Sequence, residues 1–122
     1  MADLPDTKKR PARLSISEGL QAGTRVLVLS GEIDLESSVL LHEAITAHGD
    51  ALPRVVLDLA AVTFMDSSGI RVLAAAHLAV QSDDGWIRLV ALTPPVRRVV
   101  DIVGLDTIIP CYSTLAQALA NP

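Results

Sequence analysis

Two adjacent serines, Ser67 and Ser68, stand between an acid and a glycine in Asp66-Ser67-Ser68-Gly69, after an aliphatic segment and before a helical pattern. Asp66 is well placed to cap that helix, because its carboxylate can accept backbone N–H groups of the first turn. Ser67 and Ser68 then lie at the positive end of the helix dipole, where a phosphate is tolerated. The pattern alone favours two serines that only help to cap the helix, and a phosphorylation site is the second interpretation.

A third interpretation would make Ser67 a catalytic nucleophile. The nucleophile elbow of hydrolases reads Gly-x-Ser-x-Gly, and here only Gly69 follows the serine. His77 lies ten residues further along the same predicted helix, which is about 15 Å at a rise of 1.5 Å per residue. A base must lie within about 3 Å of its nucleophile. His42 is on another predicted helix and stays open as a base, but a solvated or packed histidine is commoner, so we expect no enzyme activity.

Metal ligands are few in this sequence. His42 and His48 are six residues apart, about 240° around a helix, so they do not share a face. Cys111 is the single cysteine, which leaves it without a partner for a disulfide or a zinc site. It is predicted to be a small buried hydrophobe. We therefore expect no metal ion and no cofactor.

The elements that must position the serines alternate along the chain. Strands are predicted to begin at Leu14 and to span residues 26–29, 54–59, 86–92 and 107–112. Helices are predicted at residues 36–48, 67–81, 94–102 and 113–120. The resulting order, β-β-α-β-α-β-α-β-α, is typical of an α/β domain with helices packed on a mixed sheet.

Glycine and proline mark several of these boundaries. Pro94 suits a first helical turn, and Gly104 is expected to end the same helix. Pro110 cannot donate to a strand ladder, so the last strand is expected at the edge of the sheet. Residues 1–12 mix charges with prolines and show no apolar period. They are interpreted as a flexible basic tail ahead of a single domain at residues 13–122.

Length and charge exclude other classes of function. The chain has 122 residues, 50% of them hydrophobic, which suits one compact domain and excludes disorder of the whole chain. The formal net charge is −4, and beyond residue 13 the chain has six Arg, 12 acidic residues and no Lys. We expect no nucleic-acid binding by the folded part, because no basic stripe is available to neutralise phosphates.

Apolar runs are short throughout the sequence. None approaches the roughly 18 residues that a membrane-spanning helix needs. The first residues lack the apolar segment of a secretory signal. We therefore expect a cytoplasmic protein with no membrane partner.

Three segments taken together identify a family. They are Ser30-Gly31-Glu32-Ile33-Asp34, Phe64-Met65-Asp66-Ser67-Ser68-Gly69-Ile70, and Thr93-Pro94-Pro95-Val96-Arg97-Arg98-Val99 followed by Gly104-Leu105. In this order and at this spacing they resemble the STAS domain in its anti-sigma-factor antagonist form. The second segment matches the phosphorylation motif of that family nearly letter for letter. The resemblance covers roughly residues 14–120 and implies the STAS fold.

The resemblance also implies a partner switch in a bacterial sigma-factor circuit. Such a protein, when unphosphorylated, binds an anti-sigma factor that is also a serine kinase of the GHKL type, and so frees the sigma factor. The kinase phosphorylates the first serine of the motif, which is Ser67 here, and the complex dissociates. A serine phosphatase restores binding. By the same resemblance Asp34 lies next to the acceptor serine, with Asp66, Ser68 and Gly69 around it. We expect a monomer or weak dimer.

The expected partner-binding surface includes one face of the 67–81 helix. Four of its residues, at helical spacing, are expected to pack on the sheet: Ile70, Leu73, Ala74 and Leu78. The opposite side is unusually apolar for a solvated face, so either another element covers it or a partner binds it. The partner-binding residues expected from this are Glu32, Asp34, Ser67, Val72, Ala75 and Ala76.

Two alternatives stay open. The same fold also serves as a non-switching adaptor or scaffold subunit, for example of a transport or signalling complex. The intact Asp66-Ser67-Ser68-Gly69 together with Asp34 favours the phosphorylated class. Asp34 itself is either a cap for the helix that starts near Leu35 or a residue that contacts the kinase.

Overall fold

Strands and helices alternate in the order expected from the sequence. The computed structural model describes residues 13–47, 49 and 53–121. The strands are β1 (Leu14–Gln21), β2 (Thr24–Ile33), β3 (Arg54–Met65), β4 (Trp86–Val90) and β5 (Cys111–Tyr112). The helices are α1 (Ser37–Thr46), α2 (Ser67–Gln81), α3 (Pro94–Val103) and α4 (Leu115–Ala120), with a short 3₁₀ turn, Leu105–Thr107, after α3. The predicted tail at residues 1–12 and His48 lie outside the described residues.

The five strands form one mixed sheet in the order β1-β2-β3-β4-β5. β1 is antiparallel to β2, and the remaining neighbours are parallel. The central strands are rich in Val and Leu because both of their faces are covered, as is usual for parallel strands. The predicted mixed sheet is confirmed, and β5 lies at its edge as Pro110 suggested.

Each face of the sheet packs against helices. Leu27, Leu57 and Leu89 are Cα partners or neighbours on adjacent strands and are fully buried in the larger cluster. Residues of α1, α2 and α3 belong to the same cluster. Val56 points the other way and packs with residues of α4. Alternation of side chains along β3 thus divides the helices between the two faces.

Several element boundaries differ from the sequence prediction. β2 and β3 run on to Ile33 and Met65, beyond the predicted strand ends at residues 29 and 59. Their backbones remain paired across two register shifts. Backbone hydrogen bonding therefore continues through a segment whose residues show no strand pattern. β4 ends at Val90, and the expected strand at 107–112 is reduced to Cys111–Tyr112, since residues 105–107 form the 3₁₀ turn.

The far end of α1 is fastened to the sheet by Arg25. This side chain is 4% exposed, and it donates to both carboxylate oxygens of Glu18, at 2.9 and 3.0 Å. It also donates to the backbone carbonyls of Ala44 and Ile45 at the C-terminus of α1. The Arg25 hydrogen bonds hold the pKa of Glu18 below its usual range. A buried cation is tolerable here because its hydrogen bonds go to carboxylate and carbonyl oxygens.

Candidate functional site

α2 begins immediately after β3, with Asp66 as the only residue between them. Asp66 has an extended backbone, φ −105° and ψ −169°, and its carboxylate accepts the backbone N–H of Ser68 at 2.8 Å. The predicted cap is therefore confirmed. Ser67 is the first helical residue and is exposed, whereas Ser68 is half-buried. Of the two serines, Ser67 is the one that a macromolecular partner can reach more freely.

Gly69 holds the first turn of α2 against the sheet. A Cβ atom at this position would overlap Met65 Cγ, and would lie 2.8 Å from Met65 Sδ and 2.9 Å from Ile33 Cγ2. Both contacts are closer than real Cβ atoms make. Only a glycine lets α2 start this near to the ends of β2 and β3, which gives Gly69 a packing role beside its place in the motif.

The register of β2 and β3 brings Asp34 to the same edge of the sheet as Ser67. Ile33 and Met65 are Cα partners, and the N–H of Asp66 donates to the carbonyl of Ile33 at 3.2 Å. Asp34 follows Ile33 directly, so it lies beside the segment that leads into α2. We call this place, where β2 and β3 end, the carboxyl edge. Strand pairing thus places Asp34 and Ser67 at the same edge of the sheet, and the role that the resemblance implies for Asp34 stays a prediction.

Asp34 closes the turn that leads into α1. Its Oδ1 accepts the backbone N–H of Ser37 at 2.9 Å, and its own N–H donates to Ser37 Oγ at 2.8 Å. The backbone carbonyl of Asp34 accepts the N–H of Ser38 at 2.8 Å. The Ser37 N–H holds the pKa of Asp34 below its usual range, and Arg13 adds to this against the opposing effect of burial. Asp34 is a charged carboxylate at neutral pH, and its side chain caps the turn before α1. The expected helix start near Leu35 is wrong, since α1 starts at Ser37 with Glu36 at its N-cap position and no side-chain cap bond there.

Glu32 and Asp34 share one cation that sequence reasoning did not single out. Arg13 Nη1 donates to Glu32 Oε1 at 3.0 Å, and Arg13 Nε lies 3.6 Å from Asp34 Oδ2. In the sequence Arg13 directly follows the basic residues of the predicted tail, which hides this role. The available signal is the spacing of Glu32 and Asp34, since residues two apart lie on one side of a strand.

The expected partner-binding face of α2 needs correction. Ala76 is 0% exposed and belongs to the core, whereas Leu78, which was expected to pack on the sheet, is 66% exposed. Val72 is half-buried against the core, and Ala75 is exposed. The buried face of α2 is Gly69, Leu73, Ala76 and Val80. Small residues lie inward here because α2 packs closely on the sheet and on α1.

His77 and Cys111 are two further residues with side chains that could do chemistry. His77 lies on α2 and its Nδ1 is buried without a hydrogen-bond partner. Burial raises the pKa of the half-buried Cys111 thiol. Within residues 13–47, 49 and 53–121 no group of three or more His, Cys, Asp or Glu could hold a metal ion. Over the same part of the chain, no helix has the length and apolar character needed to cross a bilayer.

The order of elements defines a small α/β domain with a serine at the start of α2, and a family model described as the STAS domain matches residues 17–118. The chain belongs to the STAS domain family, among its anti-sigma-factor antagonists. The anti-sigma-F factor antagonist RsfB of Mycobacterium tuberculosis is 34% identical over 112 residues, covering 91% of this chain and 91% of that protein.

Two further comparisons agree with this assignment. The anti-sigma F factor antagonist of Paenibacillus polymyxa is 33% identical over 103 residues, which cover 81% of this chain and 86% of that protein. The crystal structure of an anti-sigma factor antagonist from Mycobacterium paratuberculosis matches with a TM-score of 0.78 at 36% identity, covering 87% of this chain and 91% of that one.

Proposed function

We propose that this protein is an anti-sigma-factor antagonist that is switched off by phosphorylation of Ser67. In the unphosphorylated state it binds an anti-sigma factor, and the sigma factor is freed. The observation that carries the proposal is the exposed Ser67 at the first residue of α2, at the carboxyl edge where Asp34 also lies. The names of the relatives support the same partner class.

The partner in this proposal is an anti-sigma factor with GHKL-type serine kinase activity, and a serine phosphatase reverses its action. The chain itself contributes a binding surface and an acceptor hydroxyl, not a catalytic centre. Such a circuit operates in the cytoplasm, where ATP is available to the kinase.

Charge explains how one phosphate could end the complex. Phosphoserine carries about −1.5 to −2 charges at neutral pH. At about 5 Å from a carboxylate and an effective dielectric constant of about 20, each unit of charge costs roughly 3 kcal/mol. About 4 kcal/mol weakens binding a thousandfold. Asp34 and Asp66 supply negative charge at the carboxyl edge, and the cost rises when a bound partner excludes water.

The surface offered to the partner spans the carboxyl edge and the exposed side of α2. Glu32 and Ser67 are accessible at this edge, and Asp34 lies with 18% of its side chain exposed. Ala75 continues the surface along α2, and half-buried Val72 lies beside it. Ala76 is excluded from direct contact by its burial.

The proposal is tested by phosphorylation and release. The immobilised chain captures the anti-sigma kinase, and the purified kinase is then incubated with the chain and ATP. We expect a mass gain of about 80 Da at Ser67 and dissociation of the complex. The matched control is Ser68→Ala, which should still gain the phosphate and dissociate. A chain that binds a partner stably but is never modified would instead be an adaptor, and would contradict the switch.

A further inference from the structure

Among the described residues, Arg13 is the cation seen in contact with acidic groups of the carboxyl edge. It contacts Glu32 at 3.0 Å and Asp34 at 3.6 Å, from the first residue of the described chain. Its side chain is 47% exposed, so it could as well extend into water. The guanidinium lies near the two carboxylates because the Arg13 backbone lies against β2.

Gly31 is the residue that allows this backbone position. It has φ +113°, and a Cβ atom there would overlap the carbonyl oxygen of Arg13. The same carbonyl accepts the N–H of Glu32 at 2.8 Å. A glycine is therefore required for the chain at Arg13 to lie directly on β2, and this closeness places the guanidinium over the Glu32 and Asp34 carboxylates.

The two oxygens of Asp34 have different partners. Oδ1 accepts from Ser37, and Oδ2 faces Arg13 Nε. The hydrogen bonds from Ser37 alone would fix Oδ1 and leave the negative charge of Asp34 without a cation. The additional contact of Oδ2 with Arg13 also fixes the plane of the carboxylate. Glu32 is 43% exposed, and Arg13 is the ion-pair partner that limits its motion.

We propose that Arg13 is a positioning residue for partner binding, which holds the Glu32 and Asp34 carboxylates in one arrangement beside Ser67. This inference rests on the proposed function and names a residue outside the three motif segments that controls the same site. The ion pairs are partly exposed, so their effect is modest. Contacts of this kind change affinity by about two- to fivefold.

The test compares Arg13→Gln with a matched loss of charge elsewhere. Arg54→Gln is the control, since Arg54 is exposed at the opposite end of β3. The dissociation constant of the unphosphorylated chain for the purified anti-sigma kinase is measured by calorimetry, together with the rate of Ser67 phosphorylation. We expect Arg13→Gln to weaken binding about two- to fivefold, Arg13→Lys to restore part of the loss, and Arg54→Gln to change nothing.

A second background shows whether Arg13 acts through the two carboxylates. In Glu32→Gln/Asp34→Asn, the further change Arg13→Gln is expected to have no additional effect on binding or on phosphorylation. A full additive loss in that background would overturn the proposal, because Arg13 would then contact the partner itself. Circular dichroism and the melting temperature check that each variant is folded.

The outcome also separates this inference from the proposed function. If the wild-type chain is neither bound by the kinase nor phosphorylated at Ser67, both fail together. If the wild type switches as proposed and Arg13→Gln behaves like Arg54→Gln, only the role of Arg13 is wrong.

Discussion

Asp34 and Ser37 exchange backbone-to-side-chain hydrogen bonds in both directions, and Ser37 Oγ also lies 3.0 Å from Asp34 Oδ1. The N–H of Ser37 donates to Asp34 Oδ1 at 2.9 Å, and the N–H of Asp34 donates to Ser37 Oγ at 2.8 Å. This reciprocal pair makes Asp34 structural, while its second oxygen and its place beside Ser67 make it a candidate for partner contact. The two roles separate by mutation.

Asp34→Ala removes the cap and the charge, whereas Asp34→Asn keeps much of the capping ability and removes the charge alone. We expect Asp34→Ala to lower the free energy of unfolding by about 1 kcal/mol. Asp34→Asn should fold normally, yet bind the kinase more weakly or be phosphorylated more slowly. Urea denaturation and kinase titration provide the two measurements. Normal binding and phosphorylation of Asp34→Asn would reduce Asp34 to a cap.

Stability should depend on pH through Asp34 in a defined direction. Its pKa is lower in the folded protein than in the unfolded chain, so its contribution is present above the unfolded pKa and is lost as the pH falls through the folded one. We therefore expect the wild type to lose more stability than Asp34→Asn when the pH is lowered from 7 to about 3. Glu18→Gln serves as a comparison, since the pKa of Glu18 is also lowered, by Arg25 and away from Ser67. Equal acid sensitivity in wild type and Asp34→Asn would contradict this.

Gly69→Ala tests the packing under the first turn of α2. The added methyl group overlaps Met65 and crowds Ile33, so we expect a loss of about 1–3 kcal/mol in the free energy of unfolding. Gly19→Ala is the matched control, because a Cβ atom at Gly19 meets nothing within 4 Å. Thermal denaturation of the two variants gives the comparison. If both variants melt together with the wild type, the close approach of α2 to the sheet is not a stabilising constraint.

Ser67 variants test the switch. Ser67→Ala should fold, bind the kinase and remain bound when ATP is added. Ser67→Asp should fold but bind weakly, although one charge imitates a phosphate imperfectly. Efficient phosphorylation of Ser67→Ala, at Ser68 for example, would show that the acceptor is misassigned. Binding is followed by size-exclusion chromatography with and without ATP.

Neighbouring alanines on α2 give opposite expectations. Ala75 is exposed, so Ala75→Glu should weaken kinase binding while the melting temperature stays nearly unchanged. Ala76 is fully buried, and Ala76→Glu places a charge in the core, which should destabilise the fold by at least about 3 kcal/mol. Calorimetry measures the stability of both variants, and a binding assay measures the affinity of Ala75→Glu for the kinase. Undiminished binding by folded Ala75→Glu would move the interface off this part of α2.

The sequence predicts element types well where composition and periodicity agree. The bounds of α2 match residue for residue, since Asp66 caps it and a continuous apolar pattern follows. The buried face of α2 was not predictable from hydrophobicity, because Ala76 lies inward at a close helix contact while the larger Leu78 lies outward. Size, not polarity, decides the face there.

Long-range strand pairing accounts for the other features of the structure that the sequence did not predict. The continuation of β3 to Met65 depends on hydrogen bonds with β2, which no local pattern reports. The contact between Arg13 and Asp34 likewise depends on the antiparallel pairing of β1 with β2. The serine at the start of α2 and its cap could be located from their motif, whereas the cation at the same edge could not.

The close packing at Gly69 has a consequence for how α2 would respond to a group attached to Ser67. The first turn of α2 has no slack against Ile33 and Met65, so a group attached to the Ser67 hydroxyl cannot be accommodated by withdrawal of the helix into the sheet. Such a group therefore projects from α2 into solvent, while the helix keeps its position on the sheet. A phosphate on Ser67 would then change the charge and shape of the surface without moving α2, and a partner would respond to that altered surface alone.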